Sequence, residues 1–315
     1  MGKYVLFRVV ASVPVLIGVV IIVFLMVRLV PGDPVKILLQ GSRSTQEQQD
    51  NLRRQLGLDK SLPEQFVIFA GNVARGDLGT SYRSKRAVTD EIRIRIPNTL
   101  KLAATALVIT VVTGVVIGVV AATRKGSWID LASMFGATIA VSVPGFWFGL
   151  MLIMFFAVRL GWFPVSGSGS WKHLVLPALT LGLRSSAVLA RVTRSTMLEV
   201  LNNDYVRTAR AKGLREKTVI YRHALRNTLI PVVTLAGLEL GGLLTGAFIV
   251  ETVFAYPGLG ALGIQALSAR DFPVIQGVVL VTALIYVVVN LGVDVLYGVL
   301  DPRIRHMHTT ASVRR

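Results

Sequence analysis

Residues 204–231 read DYVRTARAKGLREKTVIYRHALRNTLIP and lie between two strongly apolar segments. This stretch carries seven lysines or arginines and only two acids, in a chain that is 53% hydrophobic. A lysine or arginine at the centre of a bilayer costs about 2.5–3.5 kcal/mol, so seven of them would cost roughly 20 kcal/mol. The stretch is therefore a basic insert outside the hydrocarbon, and the neighbouring apolar segments are arranged around it.

The composition is typical of a membrane protein with several helical spans. Only 16% of the 315 residues are charged, whereas soluble domains carry about 25%. Several apolar runs reach the roughly 20 residues needed to cross about 30 Å of hydrocarbon. The chain has no cysteine, which excludes disulfides, thiol chemistry and metals bound by cysteine.

Six predicted spans account for the apolar segments, so the predicted fold class is an all-α polytopic membrane protein. The first span is too long for a signal-peptide core, and we expect it to be retained as a helix. Pro144 and Pro177 are expected to kink the third and fourth spans. The six spans cover residues 9–30, 99–122, 131–158, 174–189, 229–250 and 274–300.

Positive charge predicts the orientation of these spans. With the N-terminus inside, the basic insert and most other lysines and arginines near span ends lie together in the cytoplasm, as the positive-inside rule requires. Both termini are then cytoplasmic. The fourth span is weak because Arg184 interrupts it, but without it the insert would fall outside. The net charge of +17 is thus explained by basic residues that lie just outside apolar spans. We therefore expect a lipid bilayer around the chain and no nucleic-acid partner.

The predicted domain organisation has four parts, namely an N-terminal transmembrane helix (1–30), an extracytoplasmic loop or cap (31–97), a transmembrane core (98–302) and a cytoplasmic tail (303–315). The core includes the cytoplasmic loop 200–228. Apolar residues in the outer loop recur at helical spacing, which predicts one or two amphipathic helices. The candidate buried positions are Leu52, Leu56, Phe66, Phe69 and Val73.

The basic insert carries the signals of a short helix. Asn203 or Asp204 can cap its start, and Gly213 suits the position just past its end. Tyr205, Ala209 and Gly213 recur every four residues and form a narrow stripe of mostly small side chains. Such a helix can be a solvated loop element, an amphipathic helix on anionic lipid, or a helix docked in another protein. The small side chains favour docking, because a helix lying on lipid needs large apolar side chains.

The spacing Ala209-x-x-x-Gly213 at the entry to the fifth span resembles the EAA loop of ABC-importer permeases. That loop reads Glu-Ala-Ala-x3-Gly and is followed, after nine residues, by Ile-x-Leu-Pro. This chain departs from that pattern at Arg207, Thr208, His223 and Arg226. In the family, the glutamate of this loop could pair with a basic residue of the ATPase. Because Arg207 stands at that position here, we do not predict this contact for the present chain.

Four further motifs resemble the oligopeptide, dipeptide and nickel branch of these permeases. They are PGDP at 31–34, GDLGTSY at 76–82, ETVFAYPGLG at 251–260 and DPRIR at 301–305. Together with the variant loop, they span nearly the whole chain in the order found in that branch. The chain is most similar to the B-type subunit of dipeptide permeases.

The resemblance implies a type I ABC importer permease fold in a bacterial plasma membrane. It also implies a second homologous permease, two ATP-binding subunits and an extracytoplasmic substrate-binding protein. Residues 204–213 would form the coupling helix that docks in a groove of an ATPase subunit. The docking residues would be Asp204, Tyr205, Arg207, Thr208, Ala209, Lys212, Gly213 and Leu214.

No catalytic or nucleotide-binding motif appears in the chain. It has no G-x-x-x-x-G-K-[ST] loop, so ATP and Mg²⁺ are expected on partner subunits and this subunit is expected not to be an enzyme. The four histidines are scattered or terminal and predict no metal site. The chain also lacks a recognisable set of nucleophile and base.

Ionisable residues inside the predicted spans are candidates for function. Glu239 lies near the middle of the fifth span. It can line the transport pathway and touch the amino end of a peptide or an opposing gate, or it can make a structural hydrogen bond or pair with Arg184. Asp294 lies near the cytoplasmic end of the sixth span, where solvent or a nearby arginine would explain it.

The predicted function is that of a permease subunit for di- and oligopeptides, which forms half of the translocation pathway. Permeases for nickel chelates, haem, glutathione or sugars are alternatives within the same family. A secondary transporter driven by ions, with Glu239 and Asp294 in the ion path, and a membrane scaffold that only recruits partners are alternatives from other classes.

Overall fold

A computed structural model describes residues 2–29, 35, 45–55 and 57–300 of the chain. These residues are almost all helical and contain no strand, only one antiparallel bridge between Thr80 and Ala87. The all-α prediction is confirmed. The PGDP and DPRIR motifs, Leu56 and the side chain of Leu52 lie outside the described residues.

The helices of the described ranges follow one another with short connections. Two π-helical segments extend them: Ile153–Arg159 follows α6, and Val219–Ala224 joins α9 to α10. The α-helices are α1 Gly2–Leu29, α2 Gln46–Gln55, α3 Leu62–Ala74, α4 Val88–Thr123, α5 Trp128–Ser142, α6 Gly145–Leu152, α7 Lys172–Leu201, α8 Asp204–Ala211, α9 Glu216–Thr218, α10 Leu225–Val253, α11 Leu259–Ala269 and α12 Phe272–Leu300.

Five helical spans in the described part of the chain are long and apolar enough to cross a membrane: α1, α4, α7, the continuous unit from α9 through α10, and α12. The third expected span is instead broken into α5 and α6 with its π-helical extension, which meet at 105°. Pro144 lacks a backbone N–H and forces the preceding Val143 into an extended conformation, with ψ of 129°. The pair counts as a sixth span if the two bent halves cross the bilayer together.

Glycines bring α4 and α7 into close contact at the centre of the fold. A Cβ atom on Gly118 would lie 2.5 Å from Cβ of Thr193, and one on Gly114 would lie 2.8 Å from Cβ of Leu189. On α7, a Cβ on Gly182 would lie 2.7 Å from the carbonyl oxygen of Ala106. Small residues four apart on α4 therefore serve helix packing, as small residues do in lipid.

Replacing Gly118 by alanine is expected to destabilise the permease by about 1–3 kcal/mol, because the new methyl group overlaps Thr193 and the backbone of Ala190. The measurement is the thermal unfolding midpoint of the purified protein in detergent. Gly242→Ala on α10 is the matched control, since a Cβ there would meet nothing within 4 Å. Equal losses in the two variants would contradict the close contact between α4 and α7.

The first and last spans are fastened to each other at both ends. Gln276 Nε2 donates a hydrogen bond of 3.1 Å to the carbonyl oxygen of Val23. Near the other end, Arg8 Nη1 lies 3.1 Å from Asp294 Oδ2, so the arginine expected beside Asp294 is Arg8. Since Arg8 is close to the start of α1 and Asp294 to the end of α12, the two ends lie on the same side of the membrane.

The segment between α1 and α4 forms the predicted amphipathic helices, α2 and α3, and α3 packs on α1. The rings of Phe66 and Phe69 lie 5.2 and 5.8 Å from the ring of Phe24. The guanidinium of Arg28 lies 3.6 Å above the same ring and donates a 2.7 Å hydrogen bond to Gln65. Phe66 and Phe69, together with Val73, form the half-buried side of α3.

Candidate coupling site

Helix α8 is a short, well-delimited helix between α7 and α10. It begins after Asn203, which has an extended backbone (φ −70°, ψ 147°) but makes no capping hydrogen bond through its side chain. It ends at Gly213, whose φ of +75° lies in the left-handed region. The N–H of Gly213 donates to Arg210 O at 2.9 Å, and the N–H of Leu214 donates to Ala209 O at 3.4 Å. This is a Schellman ending, and it confirms the predicted place of Gly213.

The inner side of α8 packs against its own chain. Val206 is fully buried and Ala209 is 5% exposed, and they form a cluster with Val219, against which Leu201 packs. The predicted outward stripe is therefore wrong at Ala209, because Val206 is one helical turn away and draws the same face of α8 inward. The other predicted docking residues remain exposed: Asp204, Tyr205, Arg207, Thr208, Lys212, Gly213 and Leu214.

Two polar contacts fasten α8 to the helical unit that leads into the membrane. Asn227 Nδ2, in the first turn of α10, donates a 2.7 Å hydrogen bond to the Tyr205 hydroxyl. Arg210 donates to both carboxylate oxygens of Glu216, at 2.8 and 3.2 Å. This hydrogen bonding to Glu216 raises the pKa of Arg210. With the Val206 contact between them, these bonds leave α8 little freedom to move independently of α10.

The base of this unit is packed firmly onto the core. In the π-helical segment, Val219 and Ala224 are fully buried. Ala224 belongs to a cluster with Val119 of α4 and Met197 of α7. Val206 was not among the predicted site residues. It is the one branched aliphatic residue in α8, and its burial therefore contributes most to the hydrophobic stabilisation of this helix.

At the opposite end of α10, Glu251 is fully buried and joins three helices. Its carboxylate accepts a 2.6 Å hydrogen bond from the Thr99 hydroxyl of α4 and bonds of 2.7 and 3.1 Å from the N–H groups of Gly260 and Ala261 at the start of α11. The Thr99 oxygen in turn accepts from the N–H of Leu259 at 2.8 Å. The ETVFAYPGLG motif is therefore built around a carboxylate that caps α11.

A second buried carboxylate, Asp271, holds the GDLGTSY segment in place. It accepts hydrogen bonds from the Ser81 hydroxyl at 2.6 Å and from the N–H groups of Tyr82 and Arg83 at 3.0 and 3.2 Å. Burial raises the pKa of the Tyr82 phenol, and the nearby Asp271 carboxylate adds to this effect. This segment is thus fixed to the connection between α11 and α12.

Glu239 of α10 and Arg184 of α7 do not pair with each other. Glu239 on α10 is half-buried and has no hydrogen bond or ion pair within the described ranges. Arg184 on α7 is exposed and lines a cavity of about 300 Å³ between α5, α6 and α7. The structural pairing considered for Glu239 is therefore absent.

Two family profiles cover most of the chain. The profile described as "Binding-protein-dependent transport system inner membrane component" matches residues 114–306, and its N-terminal counterpart matches residues 1–103. The chain belongs to this permease family. The predicted assignment to ABC-importer permeases is confirmed, and so is location in the inner membrane; the ion-driven and scaffold alternatives are set aside.

Curated relatives of this permease align along almost its entire length. The glutathione transport system permease protein GsiC of Pectobacterium atrosepticum is 45% identical over 306 residues, which cover 97% of this chain and 100% of the relative. GsiC of Escherichia coli K12 is 44% identical over the same coverage. The resemblance to the oligopeptide and dipeptide branch is thereby supported at the level of the whole chain.

Solved structures share the fold of the permease at low identity. The MetNI methionine ABC transporter, in an inward-facing conformation, aligns with a TM-score of 0.58 and 20% identity, covering 67% of this chain and 96% of that chain. An amino acid ABC transporter crystallised with histidines aligns with a TM-score of 0.53 and 17% identity, covering 66% and 94%. The predicted type I importer fold is confirmed.

Membership of this family defines the general role of the chain. It is a membrane subunit of an ABC importer and not an enzyme, because ATP is hydrolysed by partner ATPases. Importers of this family combine a partner permease, ATPases and a binding protein. The role of the subunit is therefore conformational: it opens and closes a path across the membrane.

Proposed function

We propose that this permease forms half of the translocation pathway of an importer for short peptides, with glutathione-sized tripeptides within its range. The observation that carries the proposal is the 45% identity to GsiC over 306 residues. Glutathione is itself a tripeptide, so the predicted peptide class and the named cargo of the relatives share free amino and carboxylate groups. No comparable observation favours nickel chelates, haem or sugars.

The proposed orientation places both termini and α8 in the cytoplasm. The Arg8–Asp294 contact supports a common side for the two termini. The seven basic residues between Asp204 and Pro231 support the cytoplasmic side, by the positive-inside rule. The Glu251 and Asp271 sites then lie at the outer face.

We further propose that α8 is the coupling helix that docks on an ATPase subunit, which binds ATP and Mg²⁺. The exposed Arg207 and Lys212 suit a groove with acidic side chains, the reverse of the charge that a glutamate at position 207 would require. When the ATPases close, α8 moves and α10 moves with it. The contacts of Val206, Tyr205 and Arg210 join α8 to the continuous helical unit that runs from α9 through α10. Glu239 on α10 then changes position within the pathway.

The proposed function is tested with the complete transporter in liposomes. The permease, its partner permease, the ATPases and the binding protein are reconstituted, and uptake of radiolabelled glutathione and of an unmodified tripeptide is measured. We expect uptake that requires both ATP and the binding protein. Uptake that a proton or sodium gradient drives without ATP, or a complex that imports neither cargo, would overturn the proposal.

A further inference from the structure

Arg184 and Glu239 lie at nearly the same depth in the membrane on neighbouring helices. Helices α7 and α10 run antiparallel. Leu189 clusters with Val232 and Ala236 at one level, and a Cβ on Gly246 would lie 3.1 Å from Leu181 Cδ2 at the other. Arg184 lies between the two contact levels on α7, and Glu239 lies between them on α10. At a rise of about 1.5 Å per residue, the two Cα atoms differ in depth by less than about one helical turn.

Both charges lack the partners that an intramembrane charge normally has. Neither side chain makes a hydrogen bond or ion pair with any residue in the described part of the chain. Carboxylates that are buried in the described part of the chain do have such partners: Asp130 accepts hydrogen bonds of 2.5 and 2.7 Å from Arg194, and Glu251 accepts three hydrogen bonds. Ionisable side chains inside a membrane normally face a charged partner or a water-filled path. Since these two have no partner in the described part of the chain, they are candidates for a water-filled transport path.

The surroundings of Arg184 suit a carboxylate. The cavity beside it, of about 300 Å³, is lined by apolar residues and by the aromatic side chains of Trp147 and Phe148. A guanidinium binds a carboxylate through two parallel hydrogen bonds, and apolar walls strengthen that attraction by lowering the local dielectric constant. The break at Pro144 creates this space, because it turns α6 away from α5 beside α7.

We propose that Arg184 and Glu239 form a charge-complementary cargo site within the pathway for short zwitterionic peptides. Arg184 binds a carboxylate of the peptide, and Glu239 binds its ammonium group. This inference rests on the proposed function, and it goes further by naming the two groups of the cargo that the permease itself reads. The site discriminates against cargo that lacks either charge, independently of the binding protein.

The test compares three tripeptides in the reconstituted transporter: unmodified, C-terminally amidated and N-acetylated. Rates of each variant are divided by the rate of the unsubstituted transporter on the same cargo, so the selectivity of the binding protein cancels. Direct binding of each radiolabelled peptide to the purified complex without binding protein provides a second readout, which serves for any cargo that the binding protein does not deliver.

Arg184→Gln is expected to reduce transport and binding of the unmodified tripeptide at least about tenfold, and those of the amidated tripeptide less than about twofold. Glu239→Gln is expected to show the same pattern with the N-acetylated tripeptide. Arg184→Lys retains the charge and should keep most of the activity. The matched control is Arg191→Gln, because Arg191 is exposed and lies two turns further along α7. This variant should change neither the transport nor the binding of any of the three tripeptides.

Equal losses on charged and modified cargo would overturn the inference, since they indicate structural roles or a contact with the partner permease. Unchanged rates in both glutamine variants would overturn it as well, while the proposed function would stand because the transporter still imports peptide. If the unsubstituted transporter imports no peptide and its purified complex binds none, both the inference and the proposed function fail.

Discussion

Gly213→Glu is expected to reduce ATP-driven uptake at least about tenfold while the permease still inserts into the membrane. Gly213 ends α8 with φ of +75°, a conformation that costs other residues about 1–2 kcal/mol. Nothing in the chain lies within 4 Å of where its Cβ would be, so a side chain there projects freely from the exposed end of α8. A negatively charged side chain at that point obstructs docking on an acidic groove. The measurement is uptake by the reconstituted transporter, with ATPase activity followed in parallel.

Gly213→Asn is the matched control for this prediction. Asparagine tolerates the left-handed conformation better than other residues with a side chain, and it carries no charge. We expect most of the uptake to remain. If the glutamate variant transports normally, the proposed docking of this end of α8 is wrong; if the asparagine variant is equally inactive, backbone conformation rather than docking explains the loss.

Glu251→Ala is expected to abolish the folded permease. The change removes the acceptor for the Thr99 hydroxyl and for the N–H groups of Gly260 and Ala261, and each buried donor without a partner costs about 1–3 kcal/mol. The cavity left by the side chain adds to this cost. The measurement is the yield of monodisperse protein and its thermal unfolding midpoint in detergent.

Two variants define the cause of that loss. Glu251→Gln keeps the size of the side chain but turns one acceptor into a donor that faces other donors, so we expect an intermediate loss of stability. Glu199→Ala removes an exposed acid from α7 and should leave the midpoint unchanged. A stable Glu251→Ala protein would show that the carboxylate does not hold α4, α10 and α11 together.

Features that depend on local pattern were predictable from the sequence. Hydrophobic length and positive charge predicted five of the spans, including the weak fourth span, which is the continuous helix α7. Helical spacing predicted the packing side of α3, where Phe66 and Phe69 contact Phe24. The end of α8 at Gly213 was predictable because a helix end with a left-handed backbone conformation strongly favours glycine at that position.

Features that depend on tertiary partners were not predictable. The Thr99–Glu251 and Ser81–Asp271 hydrogen bonds join residues that are far apart in the chain, and no periodicity reveals such pairs. Proline at position 144 indicated a kink, but the break of 105° also requires neighbouring helices that accept it. Likewise, a stripe of small residues in α8 does not show which side of the helix faces outward. Burial of the single residue Val206 determines which side packs inward.

The central claim is that α8 contacts an ATPase subunit and carries its motion to α10. The most direct measurement is site-specific photo-crosslinking in the complete transporter, with the crosslinker placed at position 208, which is exposed on α8, and at position 171 as a control beyond the far end of α7. We predict that the crosslinker at position 208 captures an ATPase subunit and that the one at position 171 does not. An active transporter in which the crosslinker at position 208 captures no ATPase subunit would contradict the account.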